Sequence, residues 1–137
     1  MIANGNAKFG FFEYDFAKDA TAGSIGTKSL GWNFEQRVQI LGFWIRTLVA
    51  PTSATNVATL SFGWMQTAAN PALVSATAFM LPNVVPAFVP GFPLVGNILY
   101  IAPEEINFSS LITMDVGAEA LLTGRLQGTV MYVNTVI

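Results

Sequence analysis

The sequence contains no cysteine and no histidine. These absences exclude thiol nucleophiles, Ser-His triads and imidazole bases, and they remove the ligands that hold nearly all transition metals in proteins. The remaining residue types form no recognisable catalytic set. We therefore expect no enzymatic activity, no metal site and no cofactor.

Charged residues are also scarce. Of 137 residues, 6 are Lys or Arg and 8 are Asp or Glu, so that 10% of the chain is charged, against about 25% in ordinary soluble domains. So few basic residues, with a pI near 4.8, give no electrostatic footprint for nucleic acid. One explanation is a neutral surface of Thr, Ser and Asn. The explanation we favour is a surface covered by other subunits of a homo-oligomer.

A long apolar stretch has the length of a membrane span. No charged residue lies between Arg46 and Glu104, and residues 78–101 are almost entirely apolar. The stretch is broken by prolines, each of which costs a helix about 3 kcal/mol, at Pro82, Pro86, Pro90 and Pro93. We therefore expect no membrane contact, and an extended proline-rich apolar arm over residues 78–103. The first residues lack the features of a signal peptide, so we expect synthesis in the cytoplasm.

The alternation of apolar and polar residues predicts short β-strands. They cover residues 8–16, 24–32, 38–49, 57–65, 94–102, 111–116 and 125–136. The third and fourth strands are joined by a Pro/Ser/Thr/Asn turn and are expected to form an antiparallel hairpin. Residues 72–79 are predicted as a short helix, and residues 118–122 as a second, brief helical option.

This pattern indicates an all-β fold. We predict an antiparallel β-sandwich, jelly-roll-like, of about 7–8 strands. Residues 1–137 are expected to form a single sandwich domain, from which residues 78–103 extend as the arm.

Acidic residues offer two weak candidates for chemistry. Glu104 and Glu105 are adjacent, so that on a strand they point to opposite faces and do not cooperate. Glu13, Asp15 and Asp19 would offer carboxylate oxygens to Ca²⁺. They match no calcium-binding motif, however, and a charged strand end is the simpler interpretation.

The tryptophans and tyrosines leave two interpretations open. They either line a sugar-binding groove or pack in the core, where aromatics at strand spacing are commoner. The residues concerned are Trp32, Trp44, Trp64, Tyr14, Tyr100 and Tyr132. Residues 107–109 also match the short N-glycosylation pattern, which has a meaning only on a secretory route.

Two segments carry a resemblance to known proteins. Residues 9–31 read F-x-x-x-E-Y-D-F-A-x-D-x-x-x-G-x-I-G-T-K-x-L-G, and residues 52–63 join a T-S-A-T turn to A-T-L-S-F-G. With a final glycine-led strand, this arrangement resembles small virion proteins of tailed and tail-less bacteriophages, of the head-fibre, decoration or minor capsid type. The resemblance covers residues 8–64 and 108–136, and the proline-rich arm departs from it.

The resemblance implies a β-sandwich that assembles as an oligomer, with a trimer favoured, on or in a capsid. Its partners would be the major capsid protein or other virion proteins, and its location the virion. We expect the arm to supply the interface through Phe79, Leu81, Val84, Val85, Phe88, Val89, Phe92 and Leu94. The alternative function is a carbohydrate-binding β-sandwich module for attachment to the host surface.

Overall fold

The computed structural model describes residues 2–19, 23–34, 38–66, 72–96, 105–106 and 110–136. This part of the chain is almost entirely β-structure. The strands are β1 (Ile2–Asp15), β2 (Gly26–Phe34), β3 (Val38–Ser53), β4 (Thr59–Gln66), β5 (Ala72–Val84), β6 (Leu94–Val95), β7 (Glu105–Ile106), β8 (Ser110–Gly117) and β9 (Leu121–Val136). A 3-10 turn, Val85–Ala87, follows β5.

The strands form two sheets. Sheet A has the order β1-β9-β3-β6, with β7 also paired to β3, and sheet B has the order β2-β8-β4-β5. All pairings between these strands are antiparallel. The predicted antiparallel β-sandwich is therefore confirmed.

Aromatic rings fill the space between the sheets. Phe43 of β3 is fully buried, and its ring centroid lies 5.5 Å from that of Phe12 on β1 and 5.5 Å from that of Phe62 on β4. Phe79 of β5 stacks on the same ring at 5.2 Å. Because these rings come from both sheets, their packing holds one sheet against the other.

The expected hairpin between residues 38–49 and 57–65 is wrong. β3 belongs to sheet A and pairs with β9, whereas β4 belongs to sheet B and pairs with β5 and β8. The turn after Ser53 carries the chain from one sheet to the other. The apolar sides of β3 and β4 therefore face each other across the core. Two paired strands of one sheet would instead lie side by side.

The two helix predictions are also wrong. Residues 72–79 lie in β5, which pairs with β4 at the edge of sheet B. This pairing occupies the edge of β4 that β8 leaves free, and it buries Phe79 and Met80. The pairing and the burial together outweigh the local sequence signal for a helix start. At residues 118–122 the chain only turns, and β9 begins at Leu121.

The described part of the arm, residues 78–96, runs from the edge of sheet B to the edge of sheet A. It begins in β5, passes through the 3-10 turn and pairs again as β6 with Trp44 and Ile45 of β3. Pro82 lies in the edge strand β5, which is the position that a sheet tolerates for proline. The arm therefore closes one side of the sandwich. Among the described residues, no helix is long and apolar enough to cross a membrane.

Candidate functional site

A cavity of about 700 Å³ is lined by four strands. β1 contributes Phe11, Phe12 and Glu13, and β2 contributes residues 30–32, where its pairing with β8 is irregular. The remaining lining residues are Trp44 and Arg46 of β3 and Gln127, Gly128 and Thr129 of β9. Of these, Phe11, Glu13 and Arg46 are exposed, whereas their strand neighbours Phe12 and Ile45 are buried. The cavity therefore includes the outer face of sheet A.

The strand register arranges this outer face in rows. Phe11 pairs with Thr129, which pairs with Trp44, which pairs with Val95 of β6. Two residues further along each strand, a second row joins Glu13, Gln127 and Arg46. Each row thus places a β9 side chain with hydrogen-bonding groups between a residue of β1 and a residue of β3.

The indole ring of Trp44 lies over Gly42, two residues earlier in β3. A Cβ atom added at Gly42 would come within 2.6 Å of the Trp44 ring, so only the hydrogen atoms of glycine leave room for it. The outer end of its six-membered ring therefore packs close to the backbone at Gly42. Trp44 remains partly exposed, and on the same sheet face Phe11 is 68% exposed.

The charged side chains at the cavity differ in whether they form ion pairs. Glu13 Oε1 accepts a hydrogen bond from Arg125 Nε at 2.6 Å, and Asp15 lies 3.8 Å from the same nitrogen. The hydrogen bond from Arg125 lowers the pKa of Glu13 and raises that of Arg125. Arg46 forms no ion pair with any residue that the structure describes. Its guanidinium is therefore available to a bound molecule.

The calcium candidate does not assemble. Glu13 and Asp15 both face Arg125, and no cluster of three or more metal-binding side chains occurs among the described residues. The amide of Asp19 donates to the carbonyl of Asp15 across a tight turn. Of the other acidic pair, Glu105 lies in β7 and Glu104 is outside the described residues. The N-glycosylation pattern at residues 107–109 is also outside them.

The aromatic residues are divided between core and surface. Trp64 and Tyr14 are buried, and burial raises the pKa of Tyr14 to about 12. Trp32 packs against Phe34 and Tyr132 at one end of the sandwich. Trp44 alone of the described residues in the predicted groove lies on the outer face of a sheet, and Tyr100 is outside the described residues.

The eight predicted interface residues are divided in the same way. Phe79, Val85 and Phe88 lie in the core of this chain, and Leu94 is half-buried. The exposed members of the set are Leu81, Val84, Val89 and Phe92. Phe92 is 71% exposed and stands between Gly91 and Pro93, where its amide donates to the carbonyl of Val89 at 3.0 Å. The three core members anchor the arm. The four exposed members are all uncharged and apolar, and together they are called the arm patch.

A buttress of hydrogen bonds joins two turns at which the chain changes sheet, the β3–β4 turn and the β8–β9 turn. The carboxylate of Glu119, in the β8–β9 turn, accepts bonds from Ser53 Oγ at 2.7 Å, Thr55 Oγ1 at 2.8 Å and Thr55 N at 3.0 Å in the β3–β4 turn. A fourth donor is Val57 N at 3.3 Å. These bonds, that from Ser53 first, lower the pKa of Glu119 to about 2.

Sequence reasoning named two residues that line the cavity, Trp32 and Trp44, but missed its other residues and the Glu119 buttress. Phe11, Arg46 and Gln127 were not singled out, although the alternation in β1 predicts that Phe11 and Phe12 point to opposite faces. The cavity depends on β1 and β3 both pairing with β9. That arrangement joins residues far apart in the chain and leaves no local signal.

Comparison with known structures shows where this fold occurs. The chain matches the capsid of Ralstonia phage GP4 with a TM-score of 0.68 and 13% identity, over 99% of this chain and 88% of that one. It matches the capsid asymmetric unit of cyanophage Pam1 with a TM-score of 0.59 and 17% identity, over 98% and 93% of the two chains. It matches the acidic stable capsid structure of Helicobacter pylori bacteriophage KHP30 with a TM-score of 0.56 and 10% identity, over 96% and 90%.

These likenesses establish a shared fold. The sequence matches no protein-family model and no curated protein. The identities are 10–17%, so the likeness is one of fold and not of sequence.

Proposed function

We propose that this protein is a structural component of a bacteriophage virion and acts as a decoration or minor capsid subunit. The observation that carries the proposal is the fold. Chains from three phage capsids share it over at least 96% of this chain's length. In this role the protein is located in the capsid and has no enzymatic function.

The low charge supports the same role. A capsid subunit requires apolar surface that is exposed in the isolated chain and covered in the assembly. The arm patch meets this requirement, because Leu81, Val84, Val89 and Phe92 are exposed and no charge occurs between Arg46 and Glu104. Obligate interfaces have a core-like composition of this kind.

We further propose that the arm patch joins copies of this chain into a homo-oligomer, with a trimer favoured, and contacts the major capsid protein or other virion proteins. Phe79, Val85 and Phe88 act indirectly, because their burial fixes the path of the arm. The arm is thereby ordered before assembly, which lowers the entropic cost of association.

Native mass spectrometry of the purified chain at micromolar concentration tests the oligomer. We expect a trimer for the unmodified chain and a monomer for the double variant Leu81→Ser and Phe92→Ser. The matched control is Ile25→Ser, which changes an exposed apolar residue that precedes β2, at the opposite edge of sheet B. A stable monomer of the unmodified chain would overturn the homo-oligomer.

Mass spectrometry of purified particles of the phage that carries the gene tests the location. We expect the chain in intact particles at a constant ratio to the major capsid protein. Its absence from particles would reject the virion role, whatever the oligomeric state of the purified chain.

A further inference from the structure

We propose that the cavity on sheet A binds a carbohydrate. The proposal assigns stacking to Trp44 and Phe11 and hydrogen bonding to Arg46, Gln127 and Thr129. It concerns a different surface from the arm patch and does not depend on the virion role.

The aromatic rings have the placement that sugar stacking requires. A pyranose ring presents apolar C–H groups on its face, which pack on the flat face of an aromatic side chain. The outer end of the Trp44 ring packs at Gly42, while the side chain remains partly exposed. Phe11 lies two strands away in the same row, at a distance of about 10 Å for two strand spacings. A chain of two or three sugar rings is long enough to touch both.

Polar groups lie between these rings. Thr129 is in the row of Phe11 and Trp44, and Gln127 and Arg46 are in the next row. Together they offer a hydroxyl, an amide and a guanidinium, which match the alternating donors and acceptors of sugar hydroxyl groups. Binding cavities of this size commonly combine apolar walls with a few convergent polar groups of this kind.

The charge distribution separates this surface from the arm patch. The four exposed residues of the arm patch are all apolar, as expected of a protein interface core. The cavity instead combines aromatic rings with Glu13, Arg46, Gln127 and Thr129. Arg46 has no ion pair among the described residues, and a guanidinium also binds a sugar carboxylate through two parallel hydrogen bonds. The site thus fits neutral glycans and acidic ones, with acidic ones gaining from Arg46.

The first experiment is a glycan array with neutral and acidic oligosaccharides, followed by titration calorimetry of the best binders with the full chain. We expect saturable binding of at least one oligosaccharide. Trp44→Ala should weaken that binding about 10-fold or more. Arg46→Ala should weaken binding of acidic glycans more than that of neutral ones.

Two further variants serve as a second test and as a control. Gln127→Ala alters the partly exposed outer face, so it should reduce binding even if Trp44→Ala fails to fold. Phe92→Ala removes an exposed ring of the arm patch and should leave the affinity unchanged. Circular dichroism and thermal melting verify that each variant is folded.

Three outcomes overturn the carbohydrate site. They are the absence of binding across the array, equal binding by folded Trp44→Ala and Gln127→Ala variants, and equal loss of binding by Phe92→Ala. The oligomeric state and the presence in particles are measured on the same variants. If no glycan binds, but the trimer and the presence in particles are both observed, only the carbohydrate site is rejected.

Discussion

The ring of Phe12 on β1 lies across Gly128, its direct cross-strand neighbour on β9. A Cβ atom at position 128 would overlap this ring. The glycine therefore lets Phe12 lie flat over β9 and reach Phe43, with ring centroids 5.5 Å apart. The contact ties the edge strand β1 to the centre of the core.

Replacing Gly128 by alanine should destabilise the protein by about 1–3 kcal/mol, because the added methyl group forces the Phe12 ring out of its packed position. Urea denaturation followed by circular dichroism measures the loss. The neighbouring variant Thr129→Ala changes an outward-facing position and should alter the free energy of unfolding by less than about 0.5 kcal/mol. The addition of Phe12→Leu should make Gly128→Ala less costly than it is alone, and additive effects would contradict the proposed overlap.

Two phenylalanines of the arm should respond differently to truncation. Phe88 is 1% exposed and Phe92 is 71% exposed, although only three residues lie between them. Phe88→Ala should cost about 3–5 kcal/mol of folding free energy through the cavity that it leaves. Phe92→Ala should change the free energy of unfolding of the isolated chain by less than about 0.5 kcal/mol. Thermal or urea denaturation of the two variants side by side checks this, and similar losses would mean that the arm does not pack as described.

Acid should weaken the buttress formed by Glu119. Its pKa is lowered from 4.5 to about 2 by donors of the β3–β4 turn, so the folded state binds its proton less readily than the unfolded state. The stabilisation is complete above the unfolded pKa and is lost as the pH falls from about 4.5 to about 2. Urea unfolding at a series of pH values measures this slope.

The variant Glu119→Gln identifies the source of that slope. It removes the titrating group, so the dependence of stability on pH between about 2 and 4.5 should become shallower. A remaining slope is expected from Glu13, whose pKa is lowered by Arg125. An unchanged slope in Glu119→Gln would show that the carboxylate does not carry the acid sensitivity.

Local sequence signals were sufficient for the fold class but insufficient for the pairing of strands. Alternation identifies β3 and β9 because neighbouring residues alternate between core and surface, as Phe43 and Trp44 do. It does not say which strand lies beside which. The turn after Ser53 has the composition of a hairpin turn. It becomes a crossover because Phe43 and Phe62 pack against each other from opposite sheets, with their ring planes tilted by 46°. The extent of the single domain stays a prediction.

The binding surfaces were predictable only in part. Apolar residues without charge marked the arm as unusual, but composition alone cannot separate Phe88, which completes the core, from Phe92, which does not. That difference arises from the turn at Val85–Ala87, whose first amide donates to the carbonyl of Ala58. The interface role of the arm residues therefore stays a prediction, now narrowed to the exposed ones. Predicting the cavity would have required the pairing register of β1, β9 and β3, which no local sequence pattern contains.

The β8–β9 turn offers a stabilising substitution. Ala118 has a φ of 69°, which is in the left-handed region that costs residues other than glycine about 1–2 kcal/mol. Ala118→Gly removes this strain but adds freedom to the unfolded chain, so we expect a net gain of up to about 1 kcal/mol. Asn56 has a similar φ of 58°, but its Oδ1 accepts a hydrogen bond from Ser53 N at 3.2 Å. Asn56→Gly loses that bond and should gain less. Urea denaturation of both variants gives the comparison, and a greater gain for Asn56→Gly would mean that side-chain bonding in the turn matters less than backbone strain.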